Sequence, residues 1–138
     1  MGSGVPQGSV LEPLIFLLTI ESINDLDLAG NLGLFADDTQ AGMAVSCEAD
    51  AWRLQLDLAT IGVWSGNSNM KFNCSKFECL KSGFNQELKV QNDYITPDME
   101  FTIEMKDNIK DLGIRMSNSG DFSYYILKVI SQVKQWIS

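Results

Sequence analysis

The stretch GLFADDTQAG (residues 33–42) sets two adjacent carboxylates, Asp37 and Asp38, between an apolar run and a string of small residues. Residues 32–36 read as a short apolar strand with the acids at the turn. On the return, Thr39, Ala41, Met43 and Val45 alternate with Gln40, Gly42, Ala44 and Ser46. Period-two alternation beside a polar pair predicts a β-hairpin with both acids at its tip. Short acidic side chains are common in turns because they bond nearby backbone. Here, however, like charges repel and the apolar strand strips water from them, so the pair is most favourable when a cation neutralises both. Oxygen ligands of this kind suit Mg²⁺ or Mn²⁺ held by one or two carboxylates together with substrate phosphates. Phosphoryl or nucleotidyl transfer is the chemistry this predicts.

Composition narrows the alternatives. A chain of 138 residues with 45% hydrophobic content buries one modest core, so a single domain or a piece of a larger one is expected. The longest apolar run, residues 14–18, soon meets Thr19 and Glu21, well short of the roughly 18 residues of a membrane span. With Glu12 and no basic residue before it, that run also fails as a signal peptide, and an intracellular protein with no membrane partner is expected. Cys47, Cys74 and Cys79 are odd in number and form no CxxC pair, which predicts reduced thiols rather than a disulfide framework or zinc site. The chain has no histidine, which removes Ser-His-Asp and Cys-His catalysis.

A net charge of −8 argues against a phosphate-binding face, but its distribution is uneven. Residues 1–70 carry nine acidic side chains and one basic one, Arg53, whereas residues 71–138 carry nine of each. The excess lies in the half that holds the Asp-Asp pair.

Around the hairpin the pattern is helical. Pro13 suits a first helical turn, and Leu14, Leu17, Leu18, Ile20, Ile23 and Leu26 predict a helix over 13–26 buried on most sides. Ser46 is expected to cap a second helix whose first turn carries Glu48 and Asp50, whose inner stripe is Trp52, Leu56, Ala59 and Val63, and whose end is Gly66-Asn67. MKFN (70–73) and KFECLKSG (76–83) read as extended. Met99, Phe101, Ile103 and Met105 alternate with Glu100, Thr102 and Glu104 as a strand with one wet face. Phe122, Ile126, Val129, Val133 and Trp136 share one face of a closing helix whose pattern is still running at Ser138.

Four blocks in order, SGVPQGSVLEPLIFLL (3–18), GLFADDTQ (33–40), WSGNSNMKFNCSK (64–76) and KDLGIRMS (110–117), resemble the reverse transcriptase domain of non-LTR retrotransposons of the LINE type. The resemblance spans essentially the whole chain. It implies an α+β fold, an incomplete palm of a right-hand polymerase over residues 1–115 whose antiparallel sheet carries the catalytic hairpin packed on helices. Residues 116–138 would then begin a thumb or a connecting helix. The implied activity is RNA-directed DNA polymerisation with two Mg²⁺ ions, and the implied partners are an RNA template, a DNA primer and a deoxynucleoside triphosphate.

By the same resemblance, Asp37 and Asp38 are the catalytic metal ligands, and Pro6, Gln7, Gly8 and Phe35 line the nucleotide site. Lys76, with Lys71 as alternative, would meet phosphate or donate a proton to pyrophosphate, and Leu112 and Gly113 would begin the primer grip. Three departures stand out. Glu12 replaces a glycine before Pro13, the Thr19-Ile20-Glu21-Ser22 connection is longer than usual, and the family's further metal-binding aspartate belongs to a strand upstream of the Gly-rich loop, where only Met1-Gly2-Ser3 precede Gly4. The expectation is a polymerase fragment lacking its upstream palm and fingers, inactive alone and binding nucleic acid weakly or not at all. The alternatives are a non-catalytic remnant or binding module with a weak divalent-cation site, and an acidic globular domain with a polar hairpin tip.

Overall fold

A computed structural model describes residues 11–35, 38–82 and 93–119. The closing helical pattern, residues 121–138, lies outside them. The elements run in the order helix α1 (Glu12–Glu21), a 3₁₀ turn (Ser22–Asp25), strands β1 (Asn31–Phe35) and β2 (Asp38–Gly42), and helix α2 (Glu48–Ser68). A 3₁₀ turn (Cys74–Lys76) and strands β3 (Glu78–Leu80), β4 (Glu104–Lys106), β5 (Asn108–Asp111) and β6 (Ile114–Ser117) follow. Mixed helices and small sheets make the fold α+β. In place of one antiparallel sheet, the described strands form three two-stranded ladders. β1–β2 and β5–β6 are antiparallel hairpins, and β3–β4 is parallel. Short local turns dictate the antiparallel pairs, whereas β3 and β4 are joined by a long crossover, the connection a parallel pair needs.

Pro13 stands in the first turn of α1, where its missing N–H costs nothing. The helix is not buried on most sides as its apolar spacing suggested: Ile20 is buried, followed by Ile23 in the 3₁₀ turn, while Leu14, Leu17 and Leu18 face outward. One stripe meets a neighbour, and among the described residues nothing covers the rest. No helix of the described residues is long and apolar enough to cross a membrane.

The core is two clusters on either end of α2. Ile20, Ile23, Ile61 and Trp64 form one, ringed by Phe16, Leu32, Leu34, Met70 and Phe72. Ala51, Leu58, Tyr94 and Ile103 form the other, against Val45, Leu54, Phe77 and Met105. The Trp64 indole N–H donates to Ser22 Oγ at 2.9 Å, and Ser22 Oγ donates to the Thr19 carbonyl at 2.7 Å, tying α1 to α2.

α2 is rotated relative to the sequence reading. Trp52, Leu56 and Val63 of the expected inner stripe are exposed, and the buried residues are Ala51, Asp57, Leu58, Ile61, Trp64 and Ser65. At about 100° per residue, the buried stripe lies nearly opposite the expected one. One close approach goes with this rotation: Gly62 lies so close to Pro97 that an added Cβ would collide with the Pro97 carbonyl oxygen. The Gln55 side chain fastens the same segment, donating to the Ile95 carbonyl at 3.1 Å and accepting the Ile95 N–H at 2.7 Å.

The ends of α2 also differ from the expectation. Cys47, in extended conformation, is the N-cap, and Ser46 lies one residue outside. Instead of capping, Ser46 donates its hydroxyl (2.7 Å) and its N–H (3.1 Å) to Asp50, whose carboxylate reaches back over the first turn. The helix runs past Gly66-Asn67 to Ser68 and ends on Asn69 in the left-handed region, φ 57°, a conformation asparagine tolerates.

MKFN forms no strand; it is irregular and feeds the 3₁₀ turn. The strand expected over 99–105 is mostly a tight loop: Ile95 bridges Thr102, the Thr96 N–H donates to the Phe101 carbonyl at 2.8 Å, and Met99 and Phe101 are exposed. Only Ile103 is buried and only Glu104–Lys106 joins a ladder, because Asp98 accepts from the Thr96 hydroxyl and the Glu100 N–H and folds the chain back.

Candidate divalent-metal hairpin

The β1–β2 hairpin follows the register Leu32↔Ala41, Gly33↔Gln40, Leu34↔Thr39 and Phe35↔Asp38. Alternation sends Leu32, Leu34 and Thr39 toward the core and Gly33, Phe35, Asp38 and Gln40 outward. Ala41 is exposed as well, so the inward face of the return strand is Thr39, continued by Met43 and Val45 beyond its end.

The base of the hairpin is fixed by α2. Asp57, buried in mid-helix, accepts the Ala29 N–H at 3.0 Å and the Gly30 N–H at 2.8 Å. A Cβ at Gly30 would stand 2.8 Å from the Gly42 carbonyl oxygen, so glycine is needed where the strands begin and end together. A buried carboxylate and a glycine thus aim the hairpin, and its far end is left to solvent.

At that end Phe35 is 63% exposed and pairs with Asp38, which is also exposed. Among the described residues Asp38 carries no ion pair, leaving its oxygens available to a cation. Asp37 lies outside the described residues, as do Pro6, Gln7 and Gly8 of the expected nucleotide site. Among the described residues, which include Asp38 but not Asp37, no group of three or more His, Cys, Asp or Glu side chains is placed to hold a metal ion. Of the two expected metal ligands only Asp38 is among the described residues, and carboxylate oxygen is the donor type a hard divalent cation takes.

The remaining candidates are on separate elements. Lys71 is exposed and lines a cavity with Thr39, the neighbour of Asp38. Lys76 is exposed at the end of the second 3₁₀ turn, where its N–H donates to the Asn73 carbonyl at 3.0 Å. Leu112 and Gly113 form the two-residue turn between β5 and β6, both in the left-handed region at φ 46° and 84°. That hairpin shares no ladder with β1–β2, so backbone pairing does not join the expected primer grip to the acidic tip.

All three cysteines are free. Burial pushes the Cys79 and Cys74 thiols up, with Asp98 adding to the effect at Cys74. Neither is prepared as a nucleophile.

The sequence reading placed Thr39 on the return strand without assigning it chemistry. Its hydroxyl is buried without a hydrogen-bond partner. The inward parity of Thr39 between two polar outward positions was the available signal. Comparison with protein-family models, curated proteins and solved structures finds no match to the chain.

Proposed function

We propose that the chain is a palm segment of an RNA-directed DNA polymerase of the non-LTR retrotransposon type, with Asp37 and Asp38 as ligands of a divalent cation. The observation that carries this reading is the exposed Asp38 paired with exposed Phe35 at the end of an antiparallel hairpin. The order of the four sequence blocks supports it. A metal held there would neutralise triphosphate oxygens and make a primer 3′-hydroxyl more acidic. Phe35 offers an aromatic face to a sugar or base, and Gln7 and Gly8 would supply close backbone approach.

A Mn²⁺ titration followed by electron paramagnetic resonance tests the reading. Weak binding by the chain is expected to be lost in Asp37→Ala and in Asp38→Ala, and to tighten when a deoxynucleoside triphosphate contributes phosphate oxygens. Binding unchanged in both variants would place the cation elsewhere and remove the basis of the proposal. Primer extension by these 138 residues alone on an RNA template with Mg²⁺ is expected to be absent, because a two-metal site needs a further carboxylate facing the pair.

A further inference from the structure

We infer that residues 121–138 fold back as a helix whose apolar face covers the outward face of α1. That face is broad: Leu11, Leu14, Ile15, Leu17 and Leu18 are between 43% and 69% exposed. At about 100° per residue these five share one arc of the helix, on the side away from buried Ile20. A contiguous apolar patch of this kind marks a surface that another element covers. Glu21 continues the same arc, and neither ion pair given by the described residues includes it. An occupant must therefore bring apolar surface and a cation together, because a carboxylate left unpaired under an apolar cover is costly.

Of the stretches outside the described residues, 121–138 brings both. Phe122, Tyr125, Ile126, Val129, Val133 and Trp136 share one helical face by their spacing. Lys128 and Lys134, the charged residues of 122–138, fall about 120° to either side of Phe122 around such a helix. At about 1.5 Å per residue a helix over 121–138 is roughly 27 Å long against roughly 15 Å for α1, enough to lie along all of it. α1 carries Glu12 and Glu21 and no basic residue, so the lysines meet acid there. The outward stripe of α2 suits the segment less, since Trp52, Leu56 and Val63 are strung over about three turns beside Arg53. A second copy of α1 would set acid against acid.

The three tryptophans supply the readout. In the full chain labelled with 5-fluorotryptophan, Trp52→Phe and Trp136→Phe assign the fluorine resonances, and the shift on exchanging H₂O for D₂O reports exposure of each indole. Trp52, 65% exposed, and Trp64, 8% exposed, set the two ends of the scale. Trp136 is expected to behave like Trp64 at every protein concentration. Leu17→Glu should move Trp136 to the exposed end, with an unmoved Trp64 resonance showing that the core persists. Glu21→Lys should move it part of the way, and adding Lys128→Glu and Lys134→Glu to that variant should move it back. Val63→Glu, on the outward stripe of α2, should leave it buried. A Trp136 as exposed as Trp52 in the unaltered chain, or buried only as concentration rises, would overturn the assignment. So would a Trp136 that stays buried in Leu17→Glu or becomes exposed in Val63→Glu. If Leu17→Glu displaces the Trp64 resonance, Glu21→Lys decides, and an unmoved Trp136 there overturns the inference.

Discussion

Asp57 in the middle of α2 accepts the N–H of Gly30 at 2.8 Å, joining the longest helix to the first residue before β1 across 27 positions of sequence. The other oxygen takes Ala29, so both acceptors of a buried carboxylate are used to seat the hairpin. Asp57→Ala leaves two backbone donors unpaired beside the core and should cost about 2–4 kcal/mol of stability, measured by urea unfolding. Asp57→Asn keeps one acceptor oxygen and should cost less. Equal midpoints for wild type and Asp57→Ala would show that the loop finds water instead.

Gly62 and Gly66 lie on the same helix but in opposite surroundings, and they make a paired test. A Cβ at Gly62 collides with the Pro97 carbonyl, whereas nothing lies within 4 Å of one at Gly66. Gly62→Ala should destabilise by roughly 1–3 kcal/mol. Gly66→Ala should stabilise by roughly 0.5–1 kcal/mol through helix propensity. Thermal melts of the two variants should move in opposite directions.

The β5–β6 turn holds Leu112 and Gly113 at φ 46° and 84°, the pair of positive angles that a type I′ hairpin turn requires. Leucine is strained there and asparagine is not. Leu112→Asn should raise stability by about 0.5–1 kcal/mol, and Gly113→Ala should lower it by about 1–2 kcal/mol. The reverse order in chemical denaturation would contradict the turn.

Asp50 gives the acid response its sign. The Ser46 hydroxyl, then the Ser46 N–H and the Cys47 side chain, with Arg53 adding, hold its carboxyl at about 2 against an ordinary 3.8. A depressed carboxyl stabilises the fold above its ordinary pKa, and that contribution disappears as pH falls from 3.8 toward about 2. The start of α2 should therefore loosen in this acid window. In Ser46→Ala the Asp50 titration followed by NMR should move up toward the ordinary value; an unmoved midpoint would assign the shift to the helix dipole instead.

How much was legible divides along the range of the interaction. The hairpin was readable because alternating strands about a polar pair are a local pattern, but Asp38, expected in the turn with Asp37, is the first residue of β2 and pairs with Phe35, while Thr39 takes the inward parity. The starts of α1 and α2 were readable to within a residue for the same reason, through Pro13 and through the acids of a first turn. The stripe of α2 was misread because it carries apolar residues on two nearly opposite faces, and hydrophobic spacing favoured Trp52, Leu56 and Val63 by size. The tight loop over 96–101 was hidden inside clean alternation, since the bonds of Asp98 to Thr96 and Glu100 outweighed it.

By itself, then, the sequence determined the elements whose bonds close within a few residues: α1, the acidic hairpin and α2. Tertiary structure alone decided which face α2 turns inward, because Gly62 must admit the Pro97 carbonyl and Asp57 must reach the N–H groups of Ala29 and Gly30. It also decided that β3 pairs in parallel with β4, and that the Thr39 hydroxyl is buried with no hydrogen-bond partner among the described residues. Those outcomes depend on which distant surfaces meet, and a one-dimensional pattern of apolar and polar residues does not record that choice.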